Sequence, residues 1–486
     1  MRRRLQFLFR STKGLVLLAI AMIAIVTAIW GMLSGPMAEW GVRESVIRFT
    51  GMQLNAAERE GRIILLYHAI AMAVVAIETY FITDIVAMEL HEIRMIRTTI
   101  TFGYLLVMIF GLSFGYFGHN FLFHGLFLFG NSLVYFAGLL LASALWPWRE
   151  EYKITDPDLS RTRGGVDLER VAFFTMAAAT LGSALFGAVT GSYWGNGHEA
   201  FLAEDLIREP HKTVLQKSII GHLHIMLTLI GIAITLVVGR WQDFRGRLHK
   251  IAMPLMIVGT IVISLGAWSV VLFDWAHTII YVGSTLVMLA ALFFVIFSWD
   301  KLIRTGLAER NILKRNALQK IQALLRDPLR FGVSWQMVFM NFTVSGVGLF
   351  MAAKLDEVFR VWPHREERVV LTGHWHILSA IIATIILLYY ADLAGLKGRA
   401  RRWFGWLVIL GSNLAFGAAT VFEMKRLFVS EAAQQPLVSW TMLLNEIGLA
   451  TVLLVLAALM VWRLVDLFKT YGRWKDELRE NQEAGG

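Results

Sequence analysis

The chain has 486 residues, 57% of them hydrophobic, with a formal net charge of +10 and no cysteine. That composition excludes a soluble globular domain, which needs far more polar surface. The missing thiols exclude disulfides, iron–sulfur clusters, thiolate-ligated haem, covalent c-type haem and a cysteine-bound copper centre, so any metal must be held by His, Met or carboxylate. Apolar runs near twenty residues long, enough to cross a ~30 Å hydrocarbon core, predict twelve spans at 14–34, 64–83, 99–117, 126–146, 171–192, 219–238, 251–271, 278–298, 333–353, 372–391, 404–422 and 441–464.

With twelve spans, the N-terminus (1–13), the even-to-odd loops and the C-terminus share one side. That side holds 33 of the 46 Lys and Arg residues. The positive-inside rule makes it cytoplasmic, so the charge reads as membrane topology and not as nucleic-acid binding. The Met1-Arg2-Arg3-Arg4 start suits a retained first span better than a cleaved signal. Bacterial- or archaeal-type cytoplasmic membrane is the expected location, with both termini inside.

The second span opens with Leu66-Tyr67-His68 and carries Glu78 ten residues further in. Gly221-His222-Leu223-His224 opens the sixth span, and Gly373-His374-Trp375-His376 the tenth. Connections between the third and fourth helices carry Phe117-Gly118-His119 and Trp275-Ala276-His277, while the matching third connection has Glu423 and Lys425-Arg426. The spans therefore divide into three groups of four, about 14–146, 171–298 and 333–464, within one all-α membrane domain at 14–464. Loop 299–332, with Leu302, Leu307, Leu313, Leu318, Ile321 and Leu325 at helical spacing, reads as an amphipathic helix on anionic lipid. The tail at 465–486 is polar and is expected to fray.

Histidine is costly in hydrocarbon and rarely stands there without a partner or metal. Any one of these histidines alone reads as a core or interfacial residue bonded to a neighbour. Five at one depth (His68, His222, His224, His374 and His376) point instead to axial ligands for haem, or to ligands for another transition metal. Positions i and i+2 of a helix point ~200° apart, so each His-x-His can serve two cofactors on opposite flanks. Gly221 and Gly373 leave room for a porphyrin edge or a close helix contact. Glu78 reads equally as a proton or quinol contact and as a hydrogen-bonded core residue. A transporter is the rival class, although transporters place their polar anomalies at midplane, on broken helices.

Twelve helices in three groups of four, inward termini, a helix-2 histidine and a helix-10 His-x-His resemble subunit I of the haem-copper oxidase superfamily, which includes oxygen and nitric oxide reductases. The resemblance implies a low-spin haem b between His68 and His376 and a second haem on His374. Gly221-His222 resembles the motif whose histidine binds copper or non-haem iron, and Trp275-Ala276-His277 resembles the motif that supplies the other ligands. The chain departs from that pattern with Thr278, His224 and Met226 where the family has a second histidine, a Glu, and a tyrosine or iron-binding Glu. Two mechanisms follow. In one, His374 and a helix-6 histidine (His224 or His222) cap both faces of the second haem, and the protein is a two-haem electron carrier. In the other, His222, His224 and His277 hold an altered metal, copper or non-haem iron, that reduces nitric oxide or oxygen. Lys425 and Arg426 fall approximately where the family binds haem propionates, and Arg365 and Arg368 lie at the same level. Quinol or cytochrome c is the implied donor, and other respiratory-complex subunits are implied partners.

Overall fold

The computed structural model describes residues 2–34, 38, 40–54, 59–118, 120–193, 214–309 and 316–483. Twelve helices are long and apolar enough to cross a membrane. They are α1 (Thr12–Ser34), α2 (Arg59–Ile85), α3 (Leu90–Phe117), α4 (Phe121–Ala144), α5 (Leu168–Tyr193), α6 (Val214–Trp241), α7 (Arg247–Ser269), α8 (His277–Ala308), α9 (Pro328–Ala353), α10 (His364–Leu393), α11 (Gly398–Glu423) and α12 (Gln434–Phe468). Among the described residues there is no named strand, and the chain is an all-α, multi-pass membrane protein.

Local chemistry sets several helix starts. A reciprocal capping box of Glu89 and Glu92 opens α3, the Asn120 side chain accepts the Phe123 amide at 2.8 Å ahead of α4, and Asp327 caps α9 with Pro328 in its first turn. These groups satisfy backbone donors that a helix leaves orphaned at its N-terminus. One stretch of α9, Phe339–Val344, winds as a π-helix, and the Asn341 amide there donates to the Met337 carbonyl at 2.9 Å.

The threefold grouping has a second signature, in glycine. In each group the third and fourth helices cross where two glycines meet. A Cβ on Gly103 would lie 3.1 Å from the Gly130 carbonyl oxygen, one on Gly259 3.1 Å from that of Gly283, and one on Gly411 3.0 Å from that of Gly448. The residue four places on from the first glycine, Val107, Ile263 or Ala415, presses against the second. Small residues let backbones approach, and in lipid that approach supplies dispersion contacts the hydrophobic effect cannot.

The second helices of the three groups, α2, α6 and α10, form the middle of the bundle and run in the same direction. At the ends opposite their histidines they are knitted by rings: Phe81 of α2 lies 4.5 Å from Tyr389 of α10, and Trp241 of α6 lies 4.8 Å from the same tyrosine, centroid to centroid. An ion-pair cluster backs this contact. Arg401 binds Asp327 at 2.8 Å and also pairs with Asp392, which accepts the Trp241 indole N–H at 3.0 Å. Helices α6, α9, α10 and α11 are thereby tied at one end.

Two expectations are corrected here. The tail does not fray at its start: Trp474–Glu483 is a helix, and Trp474 and Glu477 are 3% and 7% exposed. The cause is Arg463, 1% exposed, whose guanidinium needs a counter-ion in that environment and takes Glu477 at 2.6 Å. Phe7 packs on Trp474 and Arg4 donates to the Phe468 carbonyl at 2.9 Å, so both ends of the chain meet on one face. Loop 299–332 is not one amphipathic helix either. Its first ten residues extend α8, where Leu307 is buried, and a separate short helix, Ala317–Leu324, exposes Leu318 and Ile321. Leu313 lies outside the described residues.

Candidate functional site

At the end opposite the aromatic knot, α2, α6 and α10 bring their histidines to three different interfaces. Between α2 and α6, the rings of His68 and His222 face each other with centroids 6.5 Å apart and planes 13° from parallel. Both rings are anchored through Nδ1 to a backbone carbonyl. His68 Nδ1 meets the Ile64 carbonyl at 2.9 Å, and His222 Nδ1 meets the Ser183 carbonyl of α5 at 2.8 Å. A carbonyl can only accept, so each Nδ1 carries the hydrogen and each Nε2 keeps its lone pair. Bonds of this kind fix the tautomer and the orientation of an imidazole ring.

The seat of His222 is prepared by Gly187, one turn beyond Ser183 on α5. A Cβ there would stand 2.6 Å from both ring nitrogens, inside van der Waals contact. Trp268 of α7 steadies the same turn of α5 by donating its indole N–H to the Ser183 hydroxyl at 3.2 Å. The flanking glycine of the His-x-His, Gly221, backs onto α7, where a Cβ on it would lie 3.1 Å from the Ala267 carbonyl oxygen, which makes it a close helix contact.

The geometry can be tested against a bis-imidazole metal group. Two metal–nitrogen bonds of about 2 Å, plus roughly 1 Å from each nitrogen to its ring centre, separate the centres by about 6 Å. The observed separation is 6.5 Å, with each Nδ1 committed to a carbonyl and each Nε2 left as the ring's acceptor.

Elsewhere the pairing differs from the resemblance. His376 Nε2 and the Tyr67 hydroxyl form a short hydrogen bond, and the two rings lie 5.9 Å apart. Helical phase is the reason. Successive residues of α2 point ~100° apart, so the face toward α10 carries Tyr67 while the face toward α6 carries His68. The opposite-flank reading of each His-x-His does describe the packing. His222 lies against α5 and α2, whereas His224 meets Trp375 of α10 edge-on at 4.7 Å. His376 turns to α2, while His374 packs on α9, where a Cβ at Gly348 would lie 3.5 Å from its Cδ2.

Among the described residues no three His, Asp or Glu side chains converge as a metal site, so His222, His224 and His277 are not gathered into one. His222 is taken up by Ser183 and His68, and His277 stands exposed at the start of α8. Of the proposed propionate partners, Arg426 pairs with Glu366 of α10, and Lys425 is buried with its ammonium 4.9 Å from the Phe422 ring. The side chains of Arg365 and Arg368, and the whole of His119, lie outside the described residues. Glu78 is 4% exposed, and its Oε1 has no hydrogen-bond partner among the described residues. Glu423, also buried, occupies the space that a Cβ on Gly373 would need, so this glycine makes room for a carboxylate.

Sequence reasoning overlooked Tyr67, Ser183 and Gly187. Tyr67 had a signal, because it adjoins His68. Ser183 and Gly187 had none, because they come from another helix.

No protein-family model, no curated protein and no solved structure matches this chain.

Proposed function

We propose that the chain is a membrane-integral haem b oxidoreductase subunit, resembling haem-copper oxidase subunit I, that carries electrons through a haem held between His68 and His222. The observation that supports this reading is the opposed imidazole pair, with both Nδ1 atoms bonded to carbonyls and the ring centres at the spacing one metal needs. A bound haem supplies one-electron chemistry. The residues do the rest: Ile64 and Ser183 hold the ligand tautomers, Gly187 gives the His222 ring its position, and the surrounding apolar helices keep water away. His224 and His374, on the other flanks, are the residues a second haem would draw on. The basic end of the bundle faces the cytoplasm, in keeping with the charge bias across the spans. Quinol or cytochrome c donates electrons, and further respiratory subunits take them on.

The test is a reduced-minus-oxidised optical spectrum of the purified protein, with and without carbon monoxide, together with the haem-to-protein ratio. Haem b bands that ignore carbon monoxide are expected, and His68→Ala and His222→Ala should each remove the contribution of the same haem. A featureless spectrum from folded protein prepared with ample haem would overturn the reading.

A further inference from the structure

The end of the bundle opposite the His-x-His pairs holds a cavity of about 170 Å³, far more than one water needs. It lies where the α2–α3 turn, the segment before α5, the first turn of α5 and the end of α6 meet. Six charged side chains line it. Four of them are already paired: Glu169 with Arg240 at 2.7 Å, Lys153 with Glu150 at 2.6 Å, and Glu151 with Arg149 at 3.7 Å. The other two, Arg170 and Asp167, stand in no ion pair among the described residues.

Arg170 is 3% exposed. It donates to the Ala87 carbonyl at 2.7 Å and the Ala144 carbonyl at 2.5 Å, and the Tyr152 ring covers its guanidinium. Its Nε is buried and has no acceptor among the described residues. Neutral carbonyls leave its charge standing, and a buried cation without a counter-ion is costly. Arg463, just as deeply buried, answers that cost with Glu477 at 2.6 Å and Asp466 at 3.7 Å. Asp167, half-buried, accepts the Glu169 amide at 2.9 Å and meets no cation. The cavity therefore presents one cation and one carboxylate that do not neutralise each other. Its remaining wall is apolar, with Val86, Ile154 and Phe173. Beside it, Trp146 and Trp148 are exposed and pack on Phe174 at 5.3 Å and 6.0 Å, and exposed tryptophans of this kind sit at the level of lipid headgroups.

We propose that this cavity binds the headgroup of a zwitterionic phospholipid, with the phosphate accepting from Arg170 Nε and the ammonium facing Asp167. An anionic headgroup satisfies Arg170 but sets its net charge against Asp167. A simple cation satisfies Asp167 and leaves Arg170 as it is. A ligand carrying both charges answers both residues. Free phosphoethanolamine has the same chemistry, but the apolar wall and the neighbouring tryptophans suit a ligand with acyl chains. The site involves none of the histidines that hold the proposed haem, and its test is separate from theirs.

The experiment is native mass spectrometry of the full-length protein in detergent. The probes are dioleoyl-phosphatidylethanolamine, dioleoyl-phosphatidylglycerol and chain-free glycerophosphoethanolamine. One phosphatidylethanolamine per chain is expected, bound about tenfold or more tighter than phosphatidylglycerol, the worth of a hydrogen bond between charged groups. Asp167→Asn should remove that preference. Ala87→Trp, at an exposed position on the cavity wall, should abolish binding of the lipid while leaving the unfolding temperature unchanged. Equal affinity for the two lipids, or a preference for phosphatidylethanolamine that survives both substitutions, would overturn the proposal. Glycerophosphoethanolamine binding as tightly as the lipid would overturn the assignment to a lipid in favour of a soluble zwitterion.

Discussion

Gly187→Ala is the sharpest probe of the His68/His222 pair, because it replaces neither ligand. The added methyl would sit 2.6 Å from both nitrogens of the His222 ring, so either α5 moves away or the ring leaves its seat. Overpacking of this kind costs about 1–3 kcal/mol. If the ring swings out it also gives up its 2.8 Å bond to the Ser183 carbonyl, worth about 1 kcal/mol. Either route falls on the haem-bound state, in which the ring cannot relax freely. A loss of 1–3 kcal/mol corresponds to roughly 5–150-fold weaker haem binding. The assay is haem titration into the apoprotein in detergent, followed at the Soret band and compared with wild type and with His222→Ala. An affinity and spectrum identical to wild type would refute the placement of His222 against α5, and with it the pairing.

His68→Ala and His222→Ala are expected to remove the same haem bands while His376→Ala retains them; loss of a common signal from His68 and His376 would restore the pairing of the family resemblance. Arg170 spans two helix ends, donating to the Ala87 carbonyl at 2.7 Å and the Ala144 carbonyl at 2.5 Å, with its guanidinium over the Tyr152 ring. Arg170→Met should cost about 3 kcal/mol through unsatisfied carbonyls, and Arg170→Lys should fail to restore it because ammonium lacks the fork; thermal unfolding in detergent reads both. Gly448→Val should separate α11 from α12, since a Cβ at Gly448 already lies 2.5 Å from the Gly411 carbonyl oxygen; a loss of about 3 kcal/mol in the same assay is expected, and an unchanged unfolding temperature would dismiss the crossing as unimportant. Burial raises the carboxyl pKa of Asp167, in the segment before α5. The folded state therefore holds that proton more tightly than the unfolded one, and this contribution to stability, complete at low pH, is lost as pH rises through the carboxylate range. Asp167→Asn should match wild type below about pH 4 and become relatively more stable above it, which unfolding measured across pH can check.

The amino-acid sequence by itself determined the class of the molecule. Apolar runs of spanning length with punctuating charge leave a chain in lipid only one way to satisfy its backbone, and that is helix. It also marked the histidines of α2, α6 and α10, because an imidazole in an apolar run is anomalous wherever it points. The i, i+2 spacing told that each His-x-His serves two flanks, since that follows from the helical repeat alone. What the sequence could not decide was which flank meets which neighbour. His68 faces His222 and Tyr67 faces His376 because of the rotation of α2 about its own axis, and the packing of whole helices sets that rotation, not local pattern. Gly187 and Ser183, which seat His222, and the glycine crossings of the three groups were equally hidden, because each acquires its meaning from a residue on another helix. The helical tail at Trp474–Glu483 was hidden for the same reason, its counter-ion role arising only once Arg463 is buried.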